Sequence, residues 1–101
     1  MKLQMHSIRF DADQKLINFI QRKTDKLERF YDRIINGEVY LKLDKDENKE
    51  NKIIEIKVNI PGNQLFVKER SSTFEAATDQ AVETLKRQLK KIKDKKFTPT
   101  K

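Results

Sequence analysis

The sequence predicts an α+β fold: a β-α-β-β-β-α two-layer sandwich with two helices packed on one face of a four-stranded sheet. Apolar residues alternate with polar ones in four short stretches and recur every three or four residues in two longer ones. Turn signals separate these stretches. One apolar face per strand and one apolar stripe per helix are best buried by layering. The chain has 101 residues and no cysteine, which predicts one domain without disulfides.

The first strand is expected over residues 2–10, with a bulge where the apolar parity changes. A helix then runs to about residue 31, and Asp11 and Asp13 offer N-cap side chains for it. The apolar positions of this helix share one buried stripe, which consists of Leu16, Phe19, Ile20, Leu27, Phe30 and Tyr31.

Three further strands are predicted after the turn signal Ile35-Asn36-Gly37. Residues 38–44 alternate as a half-buried strand, residues 45–52 form a charged surface loop, and residues 53–60 alternate again. A turn at residues 61–63 precedes a fourth, shorter strand from Leu65 to about Arg70, whose Lys68 and Arg70 suit an exposed face or edge.

The second helix is expected to begin with a capping box in Ser72-Thr73-Phe74-Glu75, with Ser72 or alternatively Thr73 as the N-cap. It runs to about residue 95, and Pro99 disfavours helix beyond it. We therefore expect a single domain over residues 1–96 and a short flexible tail over 97–101. The apolar face of this helix comprises Phe74, Ala77, Ala81, Leu85, Leu89 and Ile92.

The net charge of +7 is concentrated at one end of the chain. Residues 1–83 carry fifteen basic and fifteen acidic side chains, whereas residues 84–101 carry eight basic ones and one acidic one. Such a block attracts polyanions such as nucleic acid, an anionic membrane surface or an acidic protein. The alternative is a solubilising face without a partner.

Basic residues line both predicted helices. On the first, Lys15, Arg22, Lys26 and Arg29 fall within about 60° of one another, and Arg33 joins them if the helix reaches it. The alternative is salt bridging with acidic residues three or four positions away. On the second helix, like charges four residues apart, such as Lys86 and Lys90, repel one another. Phosphates would relieve this repulsion, which favours the binding of structured RNA read by shape.

Several signals for other functions are weak. His6 is the only histidine and has no legible Ser–His–Asp arrangement around it. The acidic loop has Lys49 where a calcium loop requires glycine, and the chain has only two glycines, too few for a phosphate-cradling loop. We therefore expect no enzyme activity, metal, cofactor or small-molecule substrate. The sequence has no apolar run typical of a signal peptide or a membrane-spanning helix, which predicts a cytoplasmic protein.

Two segments resemble the short ribosome hibernation-promoting factors and the ribosome-associated inhibitor A proteins. Lys26-Leu27-Glu28-Arg29-Phe30-Tyr31-Asp32-Arg33-Ile34 resembles the segment that ends the family's first helix. Ala76-Ala77-Thr78-Asp79 and the basic stretch over residues 85–95 resemble its second helix. Glu75, Thr78, Lys68, Arg70 and the length of the acidic loop depart from the family pattern.

The resemblance implies a fold related in shape to double-stranded RNA-binding domains. It also implies binding to the small ribosomal subunit, through 16S-type rRNA in the tRNA and mRNA channel, by a protein expected to be monomeric when free. Such proteins inhibit translation in stationary phase or stress, and short members are associated with paired ribosomes. The alternatives are a general structured-RNA or double-stranded-RNA binder and a domain that docks an acidic protein. The rRNA contacts implied are Arg22, Lys26, Arg29, Lys86, Arg87, Lys90, Lys91 and Lys93.

Overall fold

The computed structural model describes residues 1–44 and 50–96, with side chains as far as residue 94. The elements follow the predicted order. Strand β1 and helix α1 come first, three strands follow, and helix α2 comes last. Their bounds are β1 Leu3–Ile8, α1 Gln14–Phe30, β2 Asn36–Leu43, β3 Lys52–Ile60, β4 Asn63–Ser71 and α2 Phe74–Lys96.

The four strands form one sheet in the order β1-β2-β3-β4. Strand β1 pairs parallel with β2, as a connection through a helix allows, and the other two pairs are antiparallel. The register aligns Met5, Val39, Ile56 and Val67 in one row across the sheet. Because side chains alternate along each strand, this row and its neighbours give the sheet one apolar face.

Both helices bury their apolar stripes in the core formed with this face. Ala77 and Ala81 of α2 are fully buried, and their small side chains allow close packing. The predicted apolar stripes are confirmed, although Phe19, Phe30 and Ile92 are only partly buried. The structure confirms the two-layer α+β prediction. The opposite sheet face carries mostly polar and charged side chains, and we call it the open sheet face.

Strands β1 and β4 differ from their predicted lengths. Strand β1 ends at Ile8 without a bulge, because Arg9 adopts a left-handed backbone conformation with φ 72°. The chain then turns, and the Phe10 ring stacks on Phe74 at 5.1 Å between centroids. Strand β4 has nine residues rather than being shorter than its neighbours, since pairing with β3 extends from Asn63 to Ser71.

The structure also corrects the ends of the helices. Asp13 caps α1, since its Oδ1 accepts a hydrogen bond from the Leu16 amide at 2.8 Å. Thr73 rather than Ser72 caps α2, because Thr73 Oγ1 accepts from the Ala76 amide at 3.0 Å. Helix α1 stops at Phe30, so Arg33 does not join its basic row.

Two predicted segments lie wholly or partly outside the described residues. The predicted tail at 97–101 lies outside them, as do residues 45–49 of the predicted loop. At the other end of that loop, Lys52 already belongs to β3.

Candidate nucleic-acid interface

Helix α1 presents Arg22, Lys26 and Arg29 as exposed side chains along one flank. They take this position because the buried residues of the helix, including Ile20 and Leu27, fix its orientation on the core. Arg22, Lys26 and Arg29 line one shallow depression together with Asp25. The structure therefore brings the three predicted cations of α1 together.

Two acidic residues of α1 are bound elsewhere than to these cations. The Met1 ammonium group contacts Asp25 Oδ1 at 2.7 Å and also contacts Glu28 Oε1. Burial raises the pKa of the Asp25 carboxyl, but hydrogen bonds from Met1 and Gln21, with Arg29 nearby, hold that pKa below its ordinary value. Asp25 is thus ionised at neutral pH and already paired, which disfavours the salt-bridging interpretation of the α1 row.

The predicted cations of α2 lie on two sides of the helix. At about 100° per residue, Lys86, Lys90 and Lys93 fall within about 60° of one another, and Arg87 and Lys91 fall farther round. Lys86 lines the groove between α1 and α2, whereas Arg87 lines a depression with Glu69 of β4. All five side chains are exposed. Lys86, Lys90 and Lys93 therefore continue the α1 row, and Arg87 and Lys91 do not.

The ring of Phe30 joins the two rows. The Nζ atoms of Lys86 and Lys93 lie 5.6 and 5.0 Å from its centroid. Lys93 Nζ also donates a hydrogen bond to the Phe30 carbonyl oxygen at 3.3 Å, so a cation lies at the carboxyl end of α1, where the helix dipole favours it. Lys93 therefore holds the end of α1 against α2 as well as carrying charge.

A groove of about 510 Å³ separates the two helices on this side. Three of the predicted cations line it, namely Lys26, Arg29 and Lys86. Lys23, which was not among the predicted contacts, also lines the groove and pairs with Asp79 Oδ1 at 3.2 Å. The remaining lining residues are Leu27, Phe30, Val82 and Glu83. The basic surface is thus built from both helices around one groove.

Three cations on the open sheet face are paired with carboxylates, and those predicted to bind rRNA have no such partner among the described residues. Lys42 and Lys68 both approach Glu55 Oε2, at 2.9 and 4.0 Å, and Arg70 Nη1 lies 2.8 Å from Asp44 Oδ2. Within residues 1–44 and 50–94, none of the eight predicted contact residues forms an ion pair with a carboxylate. Unpaired cations are therefore concentrated on the helices.

Phe30 and Lys23 are the residues of this surface that sequence reasoning missed as functional candidates. The sequence predicts Phe30 in the core, but its ring is only partly buried and contacts two lysines. Lys23 lies outside the predicted basic row, and its ion pair with Asp79 links the two helices. Neither role has a local sequence signal, because both depend on which faces of α1 and α2 meet.

No group of three histidine or acidic side chains among the described residues could hold a metal ion. Neither of the two described helices is long and apolar enough to span a membrane.

The chain is similar along most of its length to two proteins named as ribosome hibernation factors. The chain is 28% identical over 91 residues to a ribosome hibernation promotion factor from Deinococcus radiodurans, covering 89% of this chain and 48% of that protein. It is 28% identical over 95 residues to a ribosome hibernation promoting factor from Pseudomonas putida, covering 94% of this chain and 89% of that protein. The chain thus spans about half the length of the first relative and most of the second.

The fold is also that of a solved structure. A ribosomal subunit interface protein from Coxiella burnetii superposes with a TM-score of 0.82 at 24% identity, covering 93% of this chain and 99% of that one. Residues 3–96, which include every element and all eight predicted contact residues, match the model of one protein family. On this match the chain belongs to the family described as sigma 54 modulation protein / S30EA ribosomal protein, in agreement with the resemblance found in its helices.

Proposed function

We propose that this protein is a ribosome hibernation factor that acts in the cytoplasm by binding rather than by catalysis. It binds the small ribosomal subunit in the tRNA and mRNA channel through its two helices and inhibits translation in stationary phase or stress. The observation that carries the proposal is the concentration on α1 and α2 of exposed cations that have no carboxylate partner among the described residues. The names of the two relatives from Deinococcus and Pseudomonas support the same function.

The mechanism is neutralisation of rRNA phosphates. Lysine and arginine side chains without carboxylate partners can bind phosphate oxygens without first breaking an ion pair. Each neutralised phosphate releases condensed counterions, and this release provides free energy of binding that falls as salt rises. With about six phosphates contacted, the affinity should fall roughly 10³-fold between 50 and 200 mM salt.

The proposed surface consists of the eight predicted contact residues, which fall into two groups by their position on the helices. Three of them line the groove between the helices, namely Lys26, Arg29 and Lys86. Arg22, Lys90 and Lys93 flank these three, so that the six would contact one continuous stretch of RNA. Arg87 and Lys91 lie farther round α2 and would reach a different part of the channel. A protein bound inside a channel has rRNA on more than one side, so cations on two sides of α2 could both contact phosphates.

Co-sedimentation tests the partner directly. The full chain is incubated with purified small subunits, with large subunits and with small subunits plus duplex RNA in equal phosphate concentration, at 50 to 200 mM salt. We expect binding to small subunits, with the salt dependence given above, and weak competition by the duplex. Complete competition by duplex would indicate a general structured-RNA binder. Binding that resists both salt and nuclease would indicate an acidic protein partner.

Protein synthesis in extracts, measured together with the sedimentation of ribosomes on sucrose gradients, tests the consequence of binding. Addition of the protein to translating extracts should lower protein synthesis in proportion to small-subunit occupancy, because the bound protein and tRNA cannot share the channel. Unchanged synthesis at full occupancy would contradict the proposed inhibition. The same gradients would show whether the inactive ribosomes are single or paired.

A further inference from the structure

The groove between α1 and α2 differs from the rest of the basic surface because part of its lining is apolar. Leu27 and Phe30 contribute from α1 and Val82 contributes from α2. Its volume of about 510 Å³ falls within the range of about 300–1,000 Å³ typical of small-molecule sites. A purely phosphate-binding surface would not need such a lining, since phosphate contacts are polar.

The charges along the groove favour an uncharged planar group inside it and phosphates outside it. Asp79 and Glu83 line the groove, and Asp79 is already paired with Lys23 at 3.2 Å. The Glu83 carboxylate would repel a phosphate placed beside it but not a neutral nucleobase. Phosphates are better placed near Lys26, Arg29 and Lys86, which also line the groove. The exposed cations Lys26 and Lys86 lie along the same groove and remain available to phosphates on either side of such a base.

The Phe30 ring offers a surface on which a base can stack. The ammonium groups of Lys86 and Lys93 lie over it at 5.6 and 5.0 Å. A contact of this kind at an exposed site is weaker than a charge-assisted hydrogen bond to a phosphate. Phosphates would therefore draw the two flexible lysine side chains away from the ring and leave it open for stacking.

We propose that this groove receives one unpaired nucleobase of RNA, which stacks on Phe30 while Lys26, Arg29 and Lys86 hold the neighbouring phosphates. The inference rests on the proposed function, since it requires that the helices bind RNA. RNA is favoured over a free nucleotide because exposed cations continue beyond the groove, including Arg22 on α1.

Binding to three RNA duplexes of equal length tests the proposal. One duplex is fully paired, one carries a single bulged adenosine, and one carries an abasic nucleotide at the bulge. At 50 mM salt the full chain should bind the bulged adenosine about 5- to 100-fold more tightly than the abasic bulge. The Phe30→Leu variant should lose this preference, and Phe30→Tyr, which retains an aromatic ring, should keep it.

A fluorescent base separates stacking from a structural role of Phe30. With 2-aminopurine at the bulge, the wild type should quench the fluorescence on binding and Phe30→Leu should not. Thermal unfolding of both variants checks that they are folded. Equal affinity of the wild type for the adenosine and abasic bulges would overturn the proposal. So would retention of the preference in Phe30→Leu, or binding of free adenosine monophosphate as tight as binding of the bulged duplex.

The two hypotheses fail in different ways. If the groove does not receive a base, all three duplexes should still bind with equal affinity and with a strong salt dependence. If the helices do not bind RNA, none of the duplexes should bind at 50 mM salt and small subunits should not co-sediment with the protein, and the proposed function and this inference would both be overturned.

Discussion

The Thr73 side chain satisfies one of the free backbone amides at the start of α2, and its contribution to stability can be measured. Replacement by alanine removes the hydrogen bond from the Ala76 amide. We expect Thr73→Ala to lower the free energy of unfolding by about 1 kcal/mol in denaturant titrations. Ser72→Ala is the matched control and should change it by less than about 0.5 kcal/mol. A larger loss in Ser72→Ala would contradict the observed cap.

Asp25 is expected to have opposite effects on stability and on RNA binding. Its carboxyl group lies beside Arg22, Lys26 and Arg29, and contacts with Met1 hold its pKa below the ordinary value of 3.8. Since its charged form is stabilised in the folded state, the wild type should be more stable than Asp25→Asn at neutral pH. This difference should disappear as the pH falls through the lowered pKa.

Binding of Asp25→Asn to RNA should be stronger than that of the wild type. Two negative charges roughly 6 Å apart in water repel each other by about 0.7 kcal/mol. Removing the Asp25 charge near a bound phosphate should therefore raise the affinity about threefold at low salt. Asp11→Asn is the control, because it also removes one negative charge but at a position that precedes α1, and it should change the affinity for RNA less. Equal or weaker binding by Asp25→Asn would show that no phosphate lies near this flank.

At the scale of an element, the basic residues at the end of α2 are proposed to bind rRNA, and they also repel one another in the free protein. Lys90 lies three or four residues from Lys86, Arg87 and Lys93, with Asp94 as the one acidic neighbour at this spacing. Lys90→Gln should therefore raise the free energy of unfolding by a few tenths of a kcal/mol and the melting temperature by about 1–3 °C. The same variant should bind small subunits more weakly.

Salt provides the control for this prediction. Because screening weakens interactions between exposed charges, the stability difference between Lys90→Gln and the wild type should shrink at 0.5 M salt. A variant that is less stable than the wild type at low salt would show that Lys90 contributes a favourable contact instead of repulsion.

The elements differ in how well their sequences predict them, and the reasons are physical. Strands β2 and β3 alternate over most of their length, so their core faces are confirmed. Strand β2 nevertheless begins at Asn36, inside the predicted turn, because Asn36 and Gly37 pair with β3, and Ile53 is buried although it follows the other parity. The end of β1 was wrong because arginine carries no signal for the left-handed conformation that Arg9 adopts. The start of β4 was missed because Asn63 and Gln64 are polar and resemble a turn.

The apolar pattern of the sequence also does not predict which polar residues of the helices are buried. Thr24 and Thr78 are fully buried, since their hydroxyl groups bond to the backbone carbonyl oxygens of Ile20 and Phe74 at 2.9 and 2.7 Å. A pattern of apolar residues alone omits such positions. In the site, the sequence placed the cations on two helices, but their division around the groove follows from the packing of α1 against α2.

At the scale of the whole molecule, the two faces carry cations of different kinds. The helix face has exposed cations without carboxylate partners among the described residues, and the open sheet face has cations bound to Glu55 and Asp44. Net charge alone would attract RNA to both faces. The central claim is that the arrangement of the helix cations, beyond the net charge of +7, determines binding.

The most direct test compares two variants with the same loss of charge. One replaces Lys26, Arg29, Lys86 and Lys90 by glutamine, and the other replaces Lys42, Lys57, Lys68 and Arg70 on the open sheet face. Each loses three lysines and one arginine. The measurement is the affinity for small subunits as a function of salt. The account predicts that the helix variant loses about 3–4 units of slope in log K against log salt, whereas the sheet variant keeps its slope. Equal losses in the two variants would contradict it.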